Sequence, residues 1–230
     1  MREAAEKRSS MMEPLQHLIP REEFDYQTLL CVLKDYSRPR DKISDLIRKG
    51  IIIRIKKGLY IFGDKYRRKP YSKELLANLI YGPSCISLDY ALQFHGMIPE
   101  RVETITSVTT GRSRRFTTPL GQFTYHAISL PAFRLGMTRI ETGGETSFLI
   151  AMAEKALCDK IQEIRSTGLR SLKDIRHLLV EDLRIDERSL AALNPAIIGE
   201  IATGYQSGKL RLLKEFLHRL QDTAERKRTE

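Results

Sequence analysis

The stretch SRPRDKISDLIRKGIIIRIKKGLYIF, residues 37–62, constrains the fold of this chain more than any other. Ile43, Leu46 and Ile47 recur at helical spacing, which predicts an amphipathic helix with one buried stripe. Ser37 is the expected N-cap, and Pro39 falls in the first turn, where its missing N–H costs nothing. Gly50 follows Arg48 and Lys49, the order expected of a C′ glycine behind cations at a helix C-terminus. Beyond it, Ile51–Ile55 and Leu59–Phe62 are short β-branched and aromatic runs. Gly58 between them suits a tight turn. A helix therefore passes directly into a β-hairpin.

Upstream, Tyr26 to Lys34 places Leu29, Leu30 and Leu33 on a helical stripe. Helix, turn, helix and hairpin in that order predict a winged helix-turn-helix, which sets its second helix in the major groove and its hairpin against phosphate. Charge points the same way. Between Arg38 and Lys69 there are twelve Lys/Arg and three Asp, a net of +9 out of +10 for the chain. On a helical wheel Arg38, Asp41, Lys42, Asp45, Arg48 and Lys49 lie opposite the apolar stripe. With Arg40, and with Arg54, Lys56 and Lys57 at the hairpin turn, these basic residues and Asp45 form the expected DNA-binding set. Arg and Lys match guanine O6/N7 or phosphate, and a carboxylate can accept from cytosine N4. Asp41 and Asp45 imply either base reading or ion pairs within the helix. The basic segment GDKYRRKPY is expected to be a linker, which sets a DNA-binding domain at 1–66 and a second domain at 67–230. A winged helix that binds a protein partner is the competing expectation.

From Tyr71 onward the net charge is only +3 over 160 residues, so this larger part has a different role. A 41% apolar content is ample for a core, and no run approaches a membrane span. The start lacks the apolar region of a secretory signal, so a cytoplasmic protein is expected. Cys31, Cys85 and Cys158 are far apart among apolar neighbours and read as small buried hydrophobes. SKELLANLIYG reads as a helix capped by Ser72, and ISLDYALQFHGMIP as another, opened by Ile86 and closed by Gly96. RVETITSVTT, the span 114–132 and FRLGMTRIET read as strands. TSFLIAMAEKALCDKIQEI reads as one long helix, with Leu149, Ala153, Ala156, Leu157, Ile161 and Ile164 on one face. SLKDIRHLLVEDL, NPAIIGEIATGY and GKLRLLKEFLHRLQ follow as helices. Helix, strands, then helices predict an α+β domain with a small mixed or antiparallel sheet.

Three constellations could carry chemistry. Gly82-Pro83-Ser84 with Asp89 faintly echoes a nucleotidyltransferase signature, but two-metal chemistry needs a second carboxylate and position 91 is Ala91. Glu154, Lys155 and Asp159 share one helix, and the Lys155–Asp159 spacing is that of a surface ion pair. Arg112, Arg114 and Arg115 form a basic loop that is either solvated or an anion contact. No P-loop, GxGxxG, nucleophile elbow or paired metal-ligand motif occurs, so no cofactor, metal site or enzymatic activity is expected.

Three pieces in order, LIRKGIIIRIKKGLYIF, ISLDYALQFHGMIP and AMAEKALCD, resemble the AbiEi family of type IV antitoxins from abortive-infection systems. The matching positions are Lys57-Gly58-Leu59-Tyr60, then Ile86, Ser87, Leu88, Ala91, Leu92, His95 and Gly96, then Glu154, Lys155, Ala156, Leu157 and Asp159. The resemblance covers roughly residues 25–162. It implies a bacterial autorepressor that binds inverted repeats in promoter DNA through its winged helix. It further implies a second domain, marked by Ser87, His95, Glu154, Lys155 and Asp159, that counters a nucleotidyltransferase-like toxin without a stable complex. The alternatives are a metal-dependent enzyme acting on nucleic acid through Glu154, Lys155 and Asp159, and a regulator without a toxin partner.

Overall fold

Residues 15–143, 146–164 and 168–229 are described by the computed structural model. The chain is α+β and divides into two units, Met1–Ile80 with Thr118–Leu120, and Tyr81–Thr117 with Gly121–Glu230.

The first unit holds strand β1 (Glu23–Asp25), helices α1 (Tyr26–Val32) and α2 (Pro39–Arg48), strands β2 (Ile52–Lys56) and β3 (Leu59–Phe62), and helix α3 (Lys73–Ile80). Its sheet is antiparallel in the order β1-β3-β2, with Phe24 opposite Tyr60 and Ile53 opposite Ile61. The apolar stripes of α1 and α2 close on this sheet. Leu29, Leu33, Ile43 and Leu46 join Leu15, Ile19, Phe24, Ile52 and Phe62 in one core.

Local chemistry explains the boundaries. Gly50 has φ +67° and its N–H donates to the Ile47 carbonyl, while Ile51 N–H reaches Leu46. That pair of bonds is the Schellman ending, which satisfies carbonyls the helix leaves orphaned. At the other end the expectation of Ser37 fails. The N-cap is Arg38, which makes no side-chain capping bond, and Pro39 occupies the first turn. Proline sets the start here, because the residue before it is held out of the helical region. The segment after β3 is not a free linker either. Arg68 donates to the Gln16 and Ile19 carbonyls at 2.8 Å and to Glu22 at 3.2 Å, and Tyr66 packs on the core. The first unit accordingly runs on past residue 66.

Asp25 ends β1 and caps α1, accepting from the Thr28 N–H and hydroxyl, each at 2.8 Å. Those bonds, the backbone one first, hold its carboxyl below the ordinary 3.8. Asp25→Ala is expected to cost about 1 kcal/mol of stability at neutral pH, the usual worth of an N-cap. A depressed folded pKa stabilises above the unfolded value and loses that contribution as pH falls through the folded one. The difference between parent and variant in urea melts should therefore vanish in acid.

The second unit is built on a six-stranded mixed sheet in the order β6-β7-β5-β4-β9-β8. Its strands are β4 (Ser84–Ile86), β5 (Ile105–Thr109), β6 (Arg114–Thr118), β7 (Gly121–Ala127), β8 (Met137–Gly143) and β9 (Thr146–Ala151). Pairs β4/β9 and β5/β7 are parallel, while β4/β5 and β8/β9 are antiparallel. Its helices are α4 (Leu88–Phe94), α5 (Leu130–Phe133), α6 (Ala153–Glu163), α7 (Leu172–Arg176), α8 (Glu187–Ala191), α9 (Pro195–Tyr205) and α10 (Gly208–Thr229), with a π-helical segment at His177–Asp182. Two expected helices are shorter than the sequence implies. Ile86 belongs to β4, and TSFLIA forms β9, with Phe148 and Ile150 buried and Leu149 half exposed. A short apolar run suits either period, and here sheet pairing with β4 and β8 decides for the strand. No helix among the described residues is long and apolar enough to cross a membrane.

Burial also separates the cysteines. Cys85 and Cys158 are enclosed, whereas Cys31 is exposed on α1, contrary to expectation. Burial pushes the Cys85 thiol up to about 12, with Asp159 adding to it, and raises Cys158 as well. Titration of the native chain with a thiol reagent should release one fast equivalent, from Cys31, and the other two only on unfolding. Rapid reaction of all three would show that the core opens readily.

Candidate nucleic-acid interface and a buried ionic cluster

Helix α2 presents its polar face to solvent because its apolar stripe is held by the core of the first unit. Arg38, Arg40 and Arg48 are exposed, and Lys42 Nζ sits over the Tyr36 ring at 4.8 Å. Asp45 accepts from Arg48 at 2.7 Å and from Lys49 at 2.6 Å, which lowers its pKa, Lys49 first. Arg38 lies 3.9 Å from Asp41. Of the two roles expected for these acids, the structure shows ion pairs within the helix. Asp45 thus orders two cations along one edge.

The hairpin turn divides the expected wing residues. Arg54 and Lys57 are exposed, with Gly58 beside Lys57 at φ +88°. Lys56 differs: its ammonium donates to the Ile80 carbonyl, and partial burial lowers its pKa. The cause is a bulge, since Arg54 faces Tyr60 but Lys56 faces Leu59, so the buried Ile55 is the extra residue. Lys56 is a tether within its unit rather than a free tip cation.

The second unit gathers the residues around α6 in an unexpected way. Lys155 and Asp159 are no surface pair; both side chains are 0% exposed. The Lys155 ammonium bonds Asp159 Oδ1, and Tyr205 donates to the same oxygen from α9. Ser87 Oγ donates to Oδ2 at 2.6 Å from the β4–α4 junction. Lys155 Nζ also lies 5.0 Å from the Tyr205 ring centroid. Burial, and then Asp159, pushes the Tyr205 phenol far up, so it remains a donor. Close packing needs Gly136, where an added Cβ would stand 2.7 Å from Lys155 Cβ. Ser87 is aimed by a strained turn. The next residue, buried Leu88, has φ +61°, a conformation costing a side-chain-bearing residue about 1–2 kcal/mol.

The remaining expected residues are placed as follows. Glu154 accepts from the Asn194 N–H at 3.0 Å, just before α9. His95 caps α4 and donates from Nε2 to the Ala151 carbonyl at 2.7 Å, joining α4 to the end of β9. Each of Ser87, His95, Glu154, Lys155 and Asp159 therefore ties α4 or α6 to a neighbouring element. Asp89 pairs with Lys160 at 2.8 Å rather than with a second carboxylate. Among the described residues no three His, Cys, Asp or Glu converge as a metal cage. Arg112, Arg114 and Arg115 are exposed at the outer strand β6, with Arg114 over the Tyr81 ring. Tyr205 went unseen in the sequence because it lies 46 residues from Asp159 and carries no local pattern.

No family model matches this sequence, and a search of curated proteins finds no match either.

Proposed function

We propose that this chain is a DNA-binding autorepressor whose second unit acts as a type IV antitoxin. The observation that carries the first half is the arrangement of the first unit. Two helices precede a hairpin, the sheet order is β1-β3-β2, and exposed cations lie on α2 and at the hairpin turn. A winged helix has this order and uses these two surfaces on DNA. In this reading α2 enters the major groove, where Arg40 and Arg48 reach base edges or phosphates. Arg54 and Lys57 contact the backbone. The Asp45 bridges stiffen Arg48 and Lys49 before binding, so less side-chain freedom is lost on contact.

The antitoxin half rests on the resemblance of the α4 and α6 segments to the AbiEi family. In this reading Ser87, His95, Glu154, Lys155 and Asp159 build the scaffold of the antitoxin domain rather than a catalytic centre. Two measurements test the proposal separately. The full chain should shift DNA from upstream of its own gene with a steep salt dependence. Co-expression should rescue cells from the toxin encoded beside it. A chain that shifts no DNA at low salt loses the repressor assignment, and one that fails to rescue loses the antitoxin assignment.

A further inference from the structure

One cavity of the second unit is used by neither role. It encloses about 460 Å³ between β5, β7, α4 and α6, above the Asp159–Tyr205 contact. Pockets of this size hold small organic ligands. Leu88, Val108 and Ile128 supply apolar walls, and Gln162 and Glu163 supply a polar edge.

The polar edge is unfinished. Gln162 Nε2 is buried and has no hydrogen-bond partner. Buried donors of this kind are rare in native proteins, and a ligand acceptor would satisfy this one. Glu163 takes His126 Nδ1 on one oxygen and Lys160 Nζ on the other, each at 3.2 Å. A carboxylate offers about four lone-pair sites, so it retains acceptor capacity. Successive residues at one helix end thus provide a donor and an acceptor beside apolar walls. That pattern complements a planar heterocycle with a ring acceptor next to an N–H. Asp159 is paired with Lys155 and Glu163 with Lys160, so the described lining offers its ligand hydrogen bonds rather than an unpaired charge.

We propose that this cavity binds a nucleobase or nucleoside, reading the hydrogen-bonding edge of the base with Gln162 and Glu163. This inference stands apart from the DNA-binding and antitoxin reading, and its test uses neither DNA nor toxin.

The test is calorimetric titration of the full chain with uridine and adenosine. Both nucleosides should bind at millimolar concentration or below, each through its base. Gln162→Leu should weaken nucleoside binding by about tenfold, the worth of one hydrogen bond. On the unaltered chain, uracil should bind and 1,3-dimethyluracil, which has no N–H, should not; this arm stands even if the variant fails to fold. Absence of binding by both nucleosides at millimolar concentration overturns the proposal. So does equal binding of uracil and its dimethyl derivative.

Discussion

Neutralising Arg40, Arg54 and Lys57 together should lower affinity for promoter DNA about a hundredfold near physiological salt. It should also flatten the salt dependence by about three counterions, since each phosphate contact contributes about 0.9 to the slope. All three side chains are exposed, so the fold should be unaffected beyond about 0.5 kcal/mol each. Lys56 supplies the control. Its charge sits on the same strand, yet its ammonium is bound to the Ile80 carbonyl. Lys56→Met should leave the salt slope alone and destabilise the first unit, because it strands a carbonyl. A simple count of basic residues predicts the opposite, namely that all four lysines and arginines contribute alike. An unchanged slope in the triple variant would remove α2 and the hairpin from the DNA interface.

Replacing Lys155 by Met should be the most damaging single change in the second unit. It leaves the buried Asp159 carboxylate without its ammonium, and removing one partner of such a pair costs about 3–5 kcal/mol. That is a large share of the roughly 5–15 kcal/mol that holds a domain together. Lys155→Met combined with Asp159→Asn should be more stable than Lys155→Met alone. The Asn keeps one oxygen to accept from the Tyr205 hydroxyl, can donate an N–H to the Ser87 oxygen, and carries no charge to strand. Urea melts followed by circular dichroism give the comparison, and the cycle isolates the pair's coupling. A single variant within about 1 kcal/mol of the parent would mean that water reaches the pair, against its complete burial. An ordinary exposed i,i+4 pair contributes only a few tenths.

Much of the local structure was legible because its causes are local. The stripe Ile43, Leu46 and Ile47, the glycine at 50 and the turn at 58 each depend on neighbours within a few residues. The errors fall where longer range decides. Pro39 overrode Ser37 as the determinant of the α2 start. Sheet pairing turned TSFLIA from the front of a helix into β9, and core packing left Cys31 outside the apolar set it appeared to join. In the candidate interface, the identities of the cations were readable but their freedom was not. Only the bulge at Ile55 and the carbonyl of Ile80 distinguish Lys56 from Lys57.

Asp159 marks the division most clearly. By itself the sequence determined that a basic helix-and-hairpin stands apart from a near-neutral remainder, because charge and short-period patterning are written residue by residue. It also determined that Lys155 and Asp159 share one helix face, because four residues make about one turn. The tertiary structure alone decided that this face is sealed. Strand β4 brings Ser87 from 72 residues away, and α9 brings Tyr205 from 46. Those partners convert a spacing typical of a solvated surface pair into a four-residue cluster around a buried ion pair. Spacing specifies which side chains are neighbours along a helix, whereas the surrounding dielectric depends on whatever the rest of the chain packs against them.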